Sequence, residues 1–237
     1  MINLIIDGKK VEAEGGTTIL QVARENGIPI PTLCSHEEIE LSGACRLCVV
    51  EIKKGARTRI VASCLYQVEE GLSVDTKSDR VMNVRRLVME LLMARNPAAD
   101  VLTGMAQEMG VEPQARFIPD TDKGKCILCR TCVKVCETVV GVSALGFSYR
   151  GAKKTVGPPF REDSATCIGC GACAYACPTE HIEMKTTLDT RTIWGRTFKM
   201  KACDTCGRYF APVDQLHYIS ETTGIPASEL SICTSCR

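Results

Sequence analysis

The stretch Cys167-Ile168-Gly169-Cys170-Gly171-Ala172-Cys173-Ala174-Tyr175-Ala176-Cys177-Pro178 decides the architecture of this 237-residue chain. Its C-x2-C-x2-C-x3-C-P spacing is that of thiolates wrapped around a [4Fe–4S] cluster. A near copy lies upstream at Cys126-x2-Cys129-x2-Cys132-x3-Cys136, with Glu137 where the proline would stand. Two such runs form the two-cluster signature, in which the fourth cysteine of each run ligates the other cluster. One [4Fe–4S] centre is therefore expected at Cys126, Cys129, Cys132 and Cys177. The second is expected at Cys136, Cys167, Cys170 and Cys173. Gly169 and Gly171 suit a tight loop whose amides face sulfur.

The chain holds 16 cysteines, about 7% and several times ordinary usage. They fall into four groups of four with none left over: the two above, then Cys34, Cys45, Cys48 and Cys64, then Cys203, Cys206, Cys233 and Cys236. Hydrophobic residues make up 45% and charged residues 24%, a globular composition. A net charge of +1 argues against a dedicated nucleic-acid binder. Asp7 and the lack of a basic leading region argue against a signal peptide. The Arg85-Arg86 pair lies too far along the chain to be a twin-arginine address. The longest apolar-rich segment, 81–94, is broken by Asn83, Arg85, Arg86 and Glu90, so no membrane insertion is expected. A cytoplasmic setting keeps thiols reduced, which favours metal ligands over disulfides.

In the first segment, residues 1–77, Ile2 to Ile6 alternate as a short strand. Asp7-Gly8 is a hairpin signal, and Lys9 to Ala13 return. Thr18-Ile19-Leu20-Gln21 is a capping box, followed by the apolar stripe Ile19, Leu20, Val22 and Ala23 and by Gly27 as a stop. Two further strands are expected over 47–52 and 59–62. Hairpin, helix, cysteine loop and strands describe the β-grasp fold of [2Fe–2S] ferredoxins. Zinc modules normally use two close cysteine pairs, which this segment lacks. His36, two residues after Cys34, is a candidate hydrogen-bond partner near that cluster, although a packed or surface role is the commoner one for a histidine. The same holds for His181 and His217.

Residues 78–119 carry no cysteine. Ser78 or Asp79 is expected to cap a helix running to Arg95, stopped by Asn96-Pro97. Val81, Val84, Leu87, Val88, Leu91 and Leu92 recur at helical spacing. A second short helix is expected over 98–111, and the whole segment reads as a helical spacer. Residues 120–185 carry the two four-iron runs. The remainder, 186–237, is read as a linker and a metal-held tail. Its two C-x2-C pairs, Cys203/Cys206 and Cys233/Cys236, have zinc-ribbon spacing. Structural zinc is favoured there, with a further [4Fe–4S] or a rubredoxin-type iron as alternatives. Residues 213–223 are expected to form a helix and 228–230 a turn. The basic stretch 191–201, with Trp194 and Phe198, is read as a solvated linker in preference to a docking face.

The fold class is thus α+β: a β-grasp [2Fe–2S] domain, a helical spacer, a two-[4Fe–4S] ferredoxin domain and a zinc-ribbon-like module. The first cysteine spacing, Cys34-x10-Cys45-x2-Cys48-x15-Cys64, departs from the plant-type C-x4-C-x2-C. In its context, Pro31-Thr32-Leu33-Cys34 and Gly43-Ala44-Cys45-Arg46-Leu47-Cys48, it resembles the N-terminal domain of the complex I large peripheral-arm subunit. The same domain opens subunits of NAD-linked hydrogenases, many [FeFe] hydrogenases and formate dehydrogenases. Gly141-Val142-Ser143-Ala144-Leu145 and Thr155-Val156-Gly157-Pro158-Pro159-Phe160 carry the same resemblance. In that family the spacer helix leads to a His/Cys3 [4Fe–4S] site. Here Asn96 stands where the histidine would fall, which implies that this cluster has been lost.

No dinucleotide fingerprint, P-loop, nucleophile elbow or H-E-x-x-H occurs. After Lys185 no segment is long enough for a molybdopterin or hydrogen-activating domain. The resemblance implies a non-catalytic electron-transfer subunit. Its expected partners are a catalytic subunit, hydrogenase before formate dehydrogenase, and a flavin/NAD-binding subunit. A stand-alone iron–sulfur catalyst and a ribbon-type binding module are the competing expectations.

Overall fold

Asp7 and Gly8 form the turn that starts the fold. Both take positive φ, 48° and 81°, as the two-residue turn matched to strand twist requires. The turn joins β1 (Ile2–Ile6) to β2 (Lys9–Ala13), antiparallel, with Leu4 opposite Val11. The structure, a computed structural model, describes residues 1–36, 39, 42–120, 124–161 and 164–237. The chain divides into two compact units, Met1–Thr131 and Cys132–Arg237.

In the first unit, β3 (Val49–Lys54), β4 (Arg57–Ala62) and β5 (Leu72–Asp75) complete a five-stranded sheet of order β2-β1-β5-β3-β4. β5 lies at its centre, parallel to β1 and antiparallel to β3. Helix α1 (Ile19–Glu25) begins at the expected capping box: Gln21 donates its backbone N–H to Thr18 Oγ1, and Thr18 N–H donates to Gln21 Oε1 at 2.8 Å. Its face of Ile19, Leu20, Val22 and Ala23 is buried with Leu4, Ile6, Val50, Ile52, Leu72 and Val74. Each large aliphatic side chain so buried contributes about 1.5–3 kcal/mol. Cys48 and Cys64 belong to the same core.

Helix α2 (Asp79–Arg95) starts at Ser78, whose Oγ accepts the Val81 N–H. Its buried residues are Val81, Arg85, Met89, Glu90 and Met93. Leu87 and Leu91, expected on the apolar face, are exposed instead. The i, i+4 row 81-85-89-93 turns inward, and its polar member is anchored there by one bond: Arg85 Nη2 donates to the Val49 carbonyl at 2.7 Å. Buried Glu90 is paired with Arg116 at 2.6 Å, as a buried charge must be. Met89 and Met93 join Leu102 and Ala106 of α3 (Asp100–Glu108) and Val111 in a second core with Leu33, Leu47, Cys34, Cys45 and Cys129. Asn96 is fully buried, and its Nδ2 donates to the Leu92 carbonyl at 3.1 Å, so it closes α2.

In the second unit, α4 (Thr131–Lys134) widens into a π-turn over Val135–Val139. A hairpin of β6 (Gly146–Ser148) and β7 (Thr155–Gly157) follows, then α5 (Ala172–Tyr175). β8 (Met184–Thr186), β9 (Thr190–Ile193), β10 (Arg196–Ala202) and β11 (Tyr209–Pro212) make a four-stranded sheet of order β11-β10-β9-β8. Helix α6 (Val213–Thr223) ends at Gly224. The 191–201 stretch is therefore a β-hairpin and not a solvated linker. Its arginines look solvent-bound in sequence but bond inward to loop carbonyls. Among the described residues, no helix is long and apolar enough to cross a membrane.

Candidate metal centres

Strand β3 begins one residue after Cys48, and Cys64 follows two residues after β4 ends. The sheet thus brings both into the first core. Cys34 and Cys45 sit on the preceding loop, and all four thiols are buried. They fall into two close pairs. Cys45 N–H donates to Cys34 Sγ at 3.4 Å, and Cys48 and Cys64 sulfurs are 3.4 Å apart. The Cys45 thiol holds Cys34 down at about 5, while Cys34 in turn pushes Cys45 up. Cys64 likewise holds Cys48 at about 6, and Cys64 is raised. Gly43 takes φ +59°, and a Cβ there would lie 2.4 Å from Leu65 Cδ1. The buried Arg85, absent from any sequence motif, bonds the carbonyl next to Cys48. Burial lowers its pKa, and Cys48 opposes that shift.

Ser42, on the same loop, donates its Oγ–H to the Cys129 carbonyl at 2.9 Å. Cys129 shares the second core with Cys34 and Cys45. Cys126 is half-buried and Cys132 buried. Cys177 follows α5, and its Sγ accepts the His181 N–H at 3.3 Å. Burial lowers the pKa of the His181 ring.

Cys136, Cys167, Cys170 and Cys173 line one cavity, walled by Leu145, Ile168, Ile193 and Trp194. Ala144 N–H donates to Cys136 Sγ at 3.2 Å, and Trp194 Nε1–H to Cys173 Sγ at 3.5 Å. Burial pushes the thiols of Cys136 and Cys167 up, and Cys173 up to about 11. An apolar cavity disfavours bare thiolate, and a bound cation removes that penalty. Gly169 takes φ +68°, and a Cβ there would strike the Phe198 ring at 2.6 Å, so only glycine fits. Arg191 Nη1 donates to the carbonyls of Gly169 and Cys170 at 3.1 Å each. Arg196 Nη1 donates to those of Ser164, Ala165 and Cys167, and its Nη2 pairs with Asp214. Charge and spacing give no sign of these clamps.

In the tail, the sulfurs of Cys203, Cys206, Cys233 and Cys236 all lie within 4.8 Å of one another. Cys206 and Cys233 sulfurs are 3.8 Å apart. A tetrahedral ion with metal–sulfur bonds of about 2.3 Å separates its ligands by roughly 3.8 Å. A four-iron core between them would force the sulfurs further apart. Cys233 N–H donates to Cys203 Sγ at 3.3 Å, and the Cys233 and Cys206 amides lower Cys203 to about 6. The four buried thiols of the first set, the cavity lined by Cys136, Cys167, Cys170 and Cys173, and the tail group, with amides aimed at sulfur, fit iron–sulfur clusters and a thiolate-held ion.

Residues 1–79 match the 2Fe-2S iron-sulfur cluster binding domain family, and residues 159–209 match the 4Fe-4S dicluster domain family. NADPH-Fe(3+) oxidoreductase subunit alpha of Geobacter sulfurreducens is 32% identical over 228 residues, covering 87% of this chain and 27% of that protein. NADP-reducing hydrogenase subunit HndD of Solidesulfovibrio fructosivorans is 33% identical over 210 residues, covering 76% of this chain and 35% of that one. A chain of the NAD+-reducing [NiFe]-hydrogenase in the H2-reduced state superposes with a TM-score of 0.59 at 30% identity, over 67% of this chain and 75% of that chain. The chain belongs to the family of iron–sulfur subunits that these proteins represent, with a 2Fe-2S domain followed by a 4Fe-4S domain. It spans about a quarter to a third of the two curated relatives (27% and 35%).

Proposed function

We propose that this subunit carries single electrons between a catalytic subunit, a hydrogenase before a formate dehydrogenase, and a flavin/NAD(P)-binding subunit of one cytoplasmic complex. Sixteen cysteines outside any disulfide, spaced along the sequence in groups of four, support the reducing compartment. The names of the relatives support NAD(P)-linked partners. Bound clusters supply the one-electron chemistry, and the chain supplies position, burial and hydrogen bonds.

The ligand sets are a [2Fe–2S] at Cys34, Cys45, Cys48 and Cys64, one [4Fe–4S] at Cys126, Cys129, Cys132 and Cys177, and another at Cys136, Cys167, Cys170 and Cys173. The cavity lined by four cysteines from both runs supports the crossed set. The mixed sheet with its one helix supports a β-grasp domain over 1–77. A helical spacer over 78–119, a two-cluster domain over 120–185 and a ribbon-like tail complete the partition. At the tail, sulfurs within 4.8 Å support one zinc ion. A further [4Fe–4S] is the second reading there, favoured by the dicluster match, which reaches past Cys206.

The observation that carries the proposal is the shared core of Cys34, Cys45 and Cys129, bridged by Ser42. Tunnelling decays exponentially with distance, and this core links the first centre to a four-iron run with no cysteine between residues 64 and 126. The test is the isolated, metal-loaded chain. It should accept electrons from dithionite at its clusters and evolve no hydrogen from reduced viologen. Hydrogen evolution would make it a catalyst and overturn the proposal.

A further inference from the structure

Trp194 sits where bulky residues do not belong. It takes φ 54° and Gly195 takes 81°, with Ile193 paired to Arg196 across the turn. Such two-residue turns favour Asn, Asp or Gly, and a large side chain at positive φ is an outlier. It persists where the surroundings over-determine it, commonly at functional sites.

Those surroundings fix the hairpin from both strands. Arg191 of β9 holds the Gly169 and Cys170 carbonyls, and Arg196 of β10 holds that of Cys167. Phe198 packs into the space Gly169 leaves. Thus anchored, the indole Nε1 lies 3.5 Å from Cys173 Sγ, and the ring walls the cavity of Cys136, Cys167, Cys170 and Cys173. The same residue also borders an open groove with His181, Glu183 and Lys185. Trp194 therefore borders both the four-cysteine cavity and an open groove that carries titratable side chains.

We infer that Trp194 is a positioning residue of the second [4Fe–4S] centre, raising its reduction potential through the N–H to Cys173 Sγ and keeping groove water off it. The inference rests on the ligand set proposed above. Reduction adds negative charge to a site already ringed by thiolates. A donor N–H stabilises the reduced form more than the oxidised one, so its removal lowers the potential.

The test uses the full, cluster-loaded chain, with the relevant signal identified as the one abolished by Cys167→Ser. Trp194→Phe keeps a ring and deletes the donor. EPR-monitored titration should show this centre's potential falling, with the other centres and the iron content unchanged. Trp194 is also the chain's single tryptophan, so indole-15N labelling of the unmutated protein reports on it alone. Pulsed EPR of the reduced centre should show coupling to that nitrogen. Trp194→Asn gives the hairpin its preferred Asn-Gly turn, yet this centre should lose iron several-fold faster in air. An unshifted potential in Trp194→Phe, absent 15N coupling, or air stability of Trp194→Asn equal to the parent's would overturn the inference. A parent protein with no Cys167-dependent cluster signal would overturn the ligand set as well.

Discussion

The Ser42 hydroxyl donates to the Cys129 carbonyl at 2.9 Å, across 87 residues of sequence. It ties the loop bearing Cys45 to the first four-iron run. Ser42→Ala removes one such bond, worth about 1 kcal/mol. The loaded protein should melt roughly 2–4 °C lower. Electron transfer from the first centre, followed by freeze-quench EPR, should slow as the loop loosens. An unchanged melting temperature together with an unchanged rate would leave the bond without a role.

Cys48→Ser should abolish the [2Fe–2S] EPR signal and spare the four-iron signals. Cys48 lies in the sheet core of the first unit, whereas the second four-iron run belongs to the other unit. Loss of every signal would contradict separate centres.

Cys136→Ser should damage the centre held mainly by Cys167, Cys170 and Cys173, although Cys136 belongs to the other run. The four residues line one cavity. If Mössbauer spectra showed that centre intact, the crossed ligand set would fail.

Arg191→Ala removes two charge-assisted bonds to the Gly169 and Cys170 carbonyls, each class of bond being worth about 1.5–3 kcal/mol. Iron should leave the second four-iron centre faster under chelation. Arg191→Lys should restore only part of the stability, because an ammonium lacks the planar fork. Chelation kinetics equal to those of the parent would show the clamp to be idle.

Signals that act locally are legible in the chain's order of residues. Thr18/Gln21, Asp7-Gly8 and Ser78 each act within a few residues, and each forms as expected. Strand β5 carries no such signal, because it has only four residues and its place depends on pairing with β1, far away in sequence. The inward face of α2 is concealed because Arg85 reads as a surface residue, and only the fold brings the Val49 carbonyl beside it. The 190–202 hairpin is concealed for the same reason, since its arginines find their acceptors on the 164–170 loop. The cysteine groups are visible as spacing, but which sulfur faces Trp194 is a fact of three dimensions.

The most direct measurement is iron and zinc content per chain, read together with Mössbauer spectra of the anaerobically purified protein. About ten irons and one zinc are predicted: two irons in the [2Fe–2S] centre and four in each [4Fe–4S] centre. Roughly fourteen irons without zinc would contradict the single-ion tail and make it a fourth cluster. About two irons alone would remove both four-iron centres, and the proposed electron path with them.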